Sequence, residues 1–197
     1  GSSPFCETFF DDARAEKKNL IGEEGKGWTI AKYLLTHERE MISGFGTAPK
    51  KSLGESAAET MGRDASGRLS NGILRQTIAQ YQLDALAFGA TMARVGDEVK
   101  AGHGLGAASS IFKYYGTELN KRRNELNVAA LGEQALGWDG DEYRGGVVSR
   151  DWLRSKGNSI EGGTSEILRN IIGEQVLGLP GEPRVDKSVP WNEVPRN

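Results

Sequence analysis

The sequence predicts an all-α fold, an up-and-down four-helix bundle preceded by one short β-strand. Three observations predict it. Proline is absent between Lys50 and Leu179, so nothing in that stretch removes a helical N–H or clashes with the preceding turn. Apolar side chains recur at steps of three and four over long stretches. Glycine supplies 27 of the 197 residues, about twice the usual share of roughly 7%, and it gathers between those stretches, where chain reversals belong.

The elements follow in order. Phe5 to Arg14 places aromatic residues before an acidic turn and reads as a short strand, which would need partners that the rest of the chain barely supplies. A Gly/Glu/Lys loop over 22–27 leads to a helix from Trp28 to about Phe45, with Ile30, Leu34, Met41 and Phe45 on one stripe. Residues 46–72 are small and polar and read as a long loop or weakly helical connection. Leu74, Ile78, Tyr81, Ala85, Phe88, Met92, Val95 and Val99 then step by 4, 3, 4, 3, 4, 3 and 4, a helical seam that Leu83 and Leu86 widen. Inside it, Gly89 and Gly96 each cost about 1 kcal/mol relative to Ala and are expected at close helix contacts. Ser109 to about Gln134 carries Ile111, Tyr115, Leu119, Arg122, Leu126 and Ala129 on one stripe, with Lys113, Lys121, Arg123 and Glu125 off it. After a loop over 137–146, Ile167, Leu168, Ile171, Ile172 and Val176 mark the last helix, with Thr164 or Ser165 as N-cap. Four prolines follow Leu179 and extend the tail.

Composition narrows the function. The net charge is −2, which gives no whole-chain attraction to nucleic acid or to an anionic membrane. No apolar run approaches the roughly 18 residues that span a bilayer, and the first residues lack the charged and apolar regions of a secretory signal. Cys6 is the only cysteine, so no internal disulfide forms, and with two histidines the chain lacks the ligands of a Cys/His zinc site. These features point to a cytoplasmic protein that binds no metal.

Two segments could carry chemistry. In Ser159-Ile160-Glu161-Gly162-Gly163-Thr164-Ser165-Glu166, two glycines before a hydroxyl-capped helix let a ligand approach the backbone closely, and equally suit a plain turn and cap. In Leu34-Leu35-Thr36-His37-Glu38-Arg39-Glu40, Glu38 follows the apolar stripe. Desolvation there raises a carboxyl pKa and suits it to act as a base. The same spacing also fits a solvated face on which Glu38 or Glu40 pairs with Arg39 or Lys32.

Taken together, Phe9-Phe10-Asp11-Asp12-Ala13-Arg14, Asn19 to Trp28, His37-Glu38-Arg39, Gly163 to Ile167, Arg169-Asn170-Ile171-Ile172 and Leu177-Gly178-Leu179-Pro180 resemble the acyl-CoA dehydrogenases in content, order and separation. The resemblance covers nearly the whole chain. It implies that residues 1–26 end a middle β domain, making the strand a remnant of that domain, that 27–179 form the C-terminal four-helix domain, and that 180–197 are a tail. It implies an FAD-dependent enzyme that removes the α-proton and β-hydride of an acyl-CoA thioester, leaving a trans-2-enoyl-CoA. On this reading the chain is about half of an enzyme and is not expected to turn over acyl-CoA alone.

Site residues follow from the resemblance position by position. Most members place the base directly before Gly-Thr-Ser, where this chain has Gly162; Glu161 stands one residue earlier. A minority place it before an arginine on the first helix of this domain, and Glu38-Arg39 falls there. Glu38 is therefore the candidate base and Glu161 its rival, with the Gly162 N–H as the donor that polarises the thioester carbonyl. Thr164 and Glu166 match positions that resemble FAD contacts. An Arg-x-x-Phe-Gly motif and a Gln-x-x-Gly-Gly-x-Gly motif of many members are not intact here; Arg63 or Arg68 would replace the arginine of the first. Implied partners are an electron-transfer flavoprotein or similar acceptor and further subunits, as a homo- or hetero-oligomeric dimer or tetramer. The alternative is a non-catalytic assembly subunit or interaction module of the same fold.

Overall fold

The computed structural model describes residues 6–43, 52–103, 108–181 and 189–194. The chain divides into two compact units, residues 1–35 and 36–197. In the first, residues 6–14 are not in a strand, and Phe9 and Phe10 are exposed. The expected strand is absent because a strand must exchange hydrogen bonds with a neighbour. The only bridge among the described residues joins Arg63 to Leu69, within one loop of the second unit. A single 3-10 turn, Lys17–Asn19, precedes helix α1, Gly27–Ser43, which begins in the first unit and ends in the second.

The second unit is helical: α2 (Leu53–Met61), α3 (Gly72–Lys100), α4 (Ala108–Leu131), α5 (Val147–Gly157) and α6 (Ser165–Ile171), the last continuing into a π-turn at Ile172–Val176. The bundle thus holds more helices than the four the periodicity marks. Helix α2 falls in the stretch read as a long loop or weakly helical connection, and the structure takes the helical alternative over Leu53–Met61. Its signal is local: Ser52 and Glu55 form a reciprocal capping box, in which the Ser52 hydroxyl accepts from the Glu55 N–H at 3.1 Å. Helix α5 follows the predicted 137–146 loop and escapes a periodicity search because it buries little; its one buried side chain is Ser155. Among the described residues no helix is long and apolar enough to cross a membrane.

Helix α4 is the hub, packing against α2, α3, α5 and α6. Leu53 and Ala57 of α2, Leu74, Ile78 and Tyr81 of α3, and Leu119, Leu126 and Ala130 of α4 form the core with Leu69. Leu74, Ile78, Tyr81 and Val95 of the α3 seam are buried and Ala85, Phe88 and Met92 half-buried, as their spacing requires, but Val99 at its end, Leu83 and Leu86 are exposed, so the apolar face is wider than the contact it makes among the described residues. Helices α3 and α4 approach closely at Gly116, where an added Cβ would stand 3.2 Å from the Phe88 ring. Phe88 meets Phe112 edge-on at 5.9 Å. Close packing therefore falls to Gly116 rather than to Gly89 or Gly96, beside which a Cβ would meet nothing within 4 Å. Arg122, the charged member of the α4 stripe, pairs with Asp84 of α3 at 2.6 Å.

Candidate active site

The loop between α5 and α6 is fixed by polar side chains of α4. Lys113, Thr117, Asn120 and Asn124 step by 4, 3 and 4 along that helix and form a second stripe, largely buried and opposite in character to the apolar one. The Lys113 Nζ donates to the carbonyls of Asn158 at 2.8 Å and Gly163 at 2.7 Å. The Asn120 amide donates to the Asn158 side chain at 2.8 Å. Glu118 accepts from Lys121 and from the Ser159 hydroxyl at 3.2 Å. The Ser165 N–H closes the loop on the Ser159 carbonyl at 3.0 Å. This polar stripe is readable as a helical period, but a search for apolar repeats passes over it.

Gly162 and Gly163 both lie in the left-handed region, at φ +62° and +98°, a conformation that glycine adopts without a Cβ penalty. Thr164 caps α6, its hydroxyl accepting from the Ile167 N–H at 3.3 Å. Glu166 lies on the first turn, its carboxyl held below the ordinary range mainly by its own N–H and then by the Thr164 hydroxyl. Arg169, one turn on, donates to the Tyr114 hydroxyl at 2.9 Å and lies over that ring.

Glu161 is engaged. Arg154 holds it with a two-point contact, at 3.2 and 2.8 Å, and the Asn158 amide donates to the same carboxylate. Its pKa is lowered from 4.5, first by the Arg154 hydrogen bond, with Asn158 and the charges of Arg154 and Lys113 adding, while desolvation opposes. A lowered carboxylate pKa stabilises the fold above the unfolded-state value, and that contribution is lost as pH falls through the lower, folded-state value. Arg154→Met is therefore expected to raise the Glu161 midpoint toward 4.5, as followed by carboxyl-carbon NMR. A midpoint that stays in place would remove Arg154 as the cause.

Glu38 lies on α1 and is half-buried. Leu34, one turn earlier on the expected stripe, is 65% exposed, whereas Ile30 is half-buried, so the described residues cover that stripe only in part. The side chains of His37 and Arg39, like Met41, Phe45 and the 44–51 stretch, lie outside the described residues.

Arg63 and Arg68 sit elsewhere. Their loop precedes α3, whose first residues line a cleft with Leu126 and Ala129 of α4. Lys113 and Leu126 are 13 residues apart in the sequence, about 20 Å along the helix. Arg63 donates to the Gly67 carbonyl at 2.9 Å, closing its own loop. Asp64 accepts from the N–H groups of Ser66 and Arg68, while Arg68 itself is exposed. The structure therefore gathers Glu161, Gly162, Thr164 and Glu166 on one loop and helix start, and sets the two arginines toward the other end of α4.

Residues 25–177 match the acyl-CoA dehydrogenase C-terminal domain. Acyl-CoA dehydrogenase IpdE1 of Mycolicibacterium smegmatis is 29% identical over 182 residues, which cover 92% of this chain and 44% of that protein. The probable acyl-CoA dehydrogenase YdiO of Escherichia coli K12 is 25% identical, covering 87% of this chain and 44% of that protein. Among solved structures, a chain of the ChsE4-ChsE5 complex from Mycobacterium tuberculosis aligns with a TM-score of 0.64 and 25% identity, covering 89% of this chain and 46% of that one. The chain thus spans less than half the length of the curated relatives described here.

Proposed function

The chain belongs to the acyl-CoA dehydrogenase family through its C-terminal domain, and from that premise we propose that it is the C-terminal part of an FAD-dependent enzyme. That enzyme converts an acyl-CoA thioester to the trans-2-enoyl-CoA. Glu38 takes the α-proton, and the Gly162 N–H donates to the thioester carbonyl, making that proton more acidic. The observation that carries this assignment is the engagement of Glu161. A carboxylate tied to Arg154 and Asn158 has a lowered proton affinity, the wrong direction for a base that must remove a weakly acidic C–H proton. Glu38 is half-buried on α1, and a helical backbone supports the kind of fixed position that proton transfer rewards.

FAD, when bound, supplies the acceptor for the β-hydrogen. Arg68, exposed on a loop whose backbone Asp64 fixes, fits a contact with the phosphates of that cofactor. Arg63 and Thr164 are engaged with Gly67 and with the first turn of α6, so they shape the surfaces on which a contact would rest. Glu166 is exposed beside Thr164. The partner that fits this reading is an electron-transfer flavoprotein or similar acceptor, which would reoxidise the cofactor, in the cytoplasm. Likeness to a chain from a ChsE4-ChsE5 complex supports assembly with further subunits, identical or not.

The test uses the full-length protein. It is expected to purify yellow and to bleach anaerobically with one member of a panel of short, long, branched and steroid-side-chain acyl-CoAs. A folded, colourless protein in its complete assembly would overturn the reading and favour a non-catalytic subunit.

A further inference from the structure

Lys113 is completely buried, with 0% of its surface exposed. Carrying an ammonium into such a site costs several kcal/mol unless its donors are well satisfied. The packing of an aliphatic stem needs no charge. The charge is instead applied at two points, the Asn158 and Gly163 carbonyls, at 2.8 and 2.7 Å. These acceptors bracket the segment 159–162, which contains Glu161 and Gly162. Burial holds the Lys113 pKa below its ordinary value, while the charges of Glu161 and Glu118 oppose that and favour the ammonium.

We propose that Lys113 is a positioning residue for the dehydrogenation: one buried ammonium fixes both ends of the 158–163 segment and so holds the Gly162 N–H at the thioester carbonyl. This rests on the function proposed above. The need for such a clamp follows from the backbone. Gly162 and Gly163, at φ +62° and +98°, belong to the residue type with the widest choice of conformations, so an N–H in this segment keeps its direction only if the flanking peptides are held. Side-chain contacts from Ser159 and Asn158 hold the entry to the segment. At the exit, Lys113 is bonded directly to the Gly163 carbonyl. Hydrogen bonds from an ionised donor to carbonyl oxygens are among the stronger ones available.

The experiment compares the full-length, flavin-loaded enzyme with Lys113→Met and Lys113→Gln, using the panel acyl-CoA that it turns over fastest. In Lys113→Met, kcat is expected to fall by up to about 100-fold, as a misplacement near 1 Å can cost, with KM changed far less. The carbonyl stretch of that acyl-CoA, labelled with carbon-13 and bound to chemically reduced enzyme, is expected to return toward its frequency in water. Hydrogen exchange over 157–164 is expected to rise. Lys113→Gln, one bond shorter and neutral, cannot span both carbonyls and is expected to fall between. A folded Met variant with unchanged kcat and carbonyl stretch would overturn the proposal; if Met does not fold, a Gln variant equal to wild type on both counts does the same. An unmutated enzyme that fails to reduce its flavin would sink the functional reading instead. The exchange comparison tells the two failures apart, because it reads the clamp without substrate.

Discussion

Glu38→Gln in the full-length, flavin-loaded enzyme is expected to slow flavin reduction by acyl-CoA roughly 100- to 10,000-fold, the usual contribution of a positioned base. FAD content is expected to stay at the wild-type level. The substitution keeps the size of the side chain and removes only the site that accepts the proton, so the loss reports chemistry rather than folding. Stopped-flow absorbance of the oxidised flavin measures it directly. Glu161 offers the contrast: its carboxylate is tied to Arg154 and Asn158, and its lowered pKa suits an acceptor of structural hydrogen bonds. If Glu38→Gln kept rapid reduction and Glu161→Gln lost it, the base would be Glu161, and Arg154 would have to release it in the substrate complex.

The second large effect is on stability. Leu53→Ala is expected to cost about 2–5 kcal/mol, the range for emptying a buried leucine site. Leu53 is 1% exposed and lies among Ala57, Tyr81 and Leu119 in the core. Were 46–72 an open loop, one of the two readings its composition allows, the same substitution would move stability by a few tenths of a kcal/mol. Urea unfolding followed by circular dichroism separates the two, provided that the slope with denaturant is unchanged. A shift under about 0.5 kcal/mol, the scale of surface substitutions, would mean that α2 does not pack as described.

Several features were legible because they are local. The α3 seam from Leu74 to Phe88 and Val95 shows in the spacing of its apolar residues, and the structure buries it in that register. Thr164 caps α6 as its position before Ser165-Glu166-Ile167 suggests. The start of α2 was equally local, in Ser52 and Glu55, but small side chains hid the helix behind a loop-like composition. Other features were not legible at all. Leu83 and Leu86 look like Ile78 in sequence and yet face outward. Phe9 and Phe10 look like strand residues, yet no described strand offers them a partner. Of the site, the Glu161 to Glu166 segment was visible as a motif, whereas the hold that Arg154, Asn158 and Lys113 have on it was not.

The sequence alone determined that this chain is helical over most of its length, where several helices run, and which family it resembles, because these depend on periods of three to four residues and on short motifs. Tertiary structure decided which side chains are covered and what they touch. Lys113, which the spacing only places off the apolar stripe of α4, is buried where loop carbonyls 45 and 50 residues later in the chain come within reach of its ammonium. Glu161, adjacent to the expected catalytic position, is engaged because α5 brings Arg154 beside it. The physical reason is the same in each case: burial and pairing are set by residues distant in sequence, and no local period records which of them will meet.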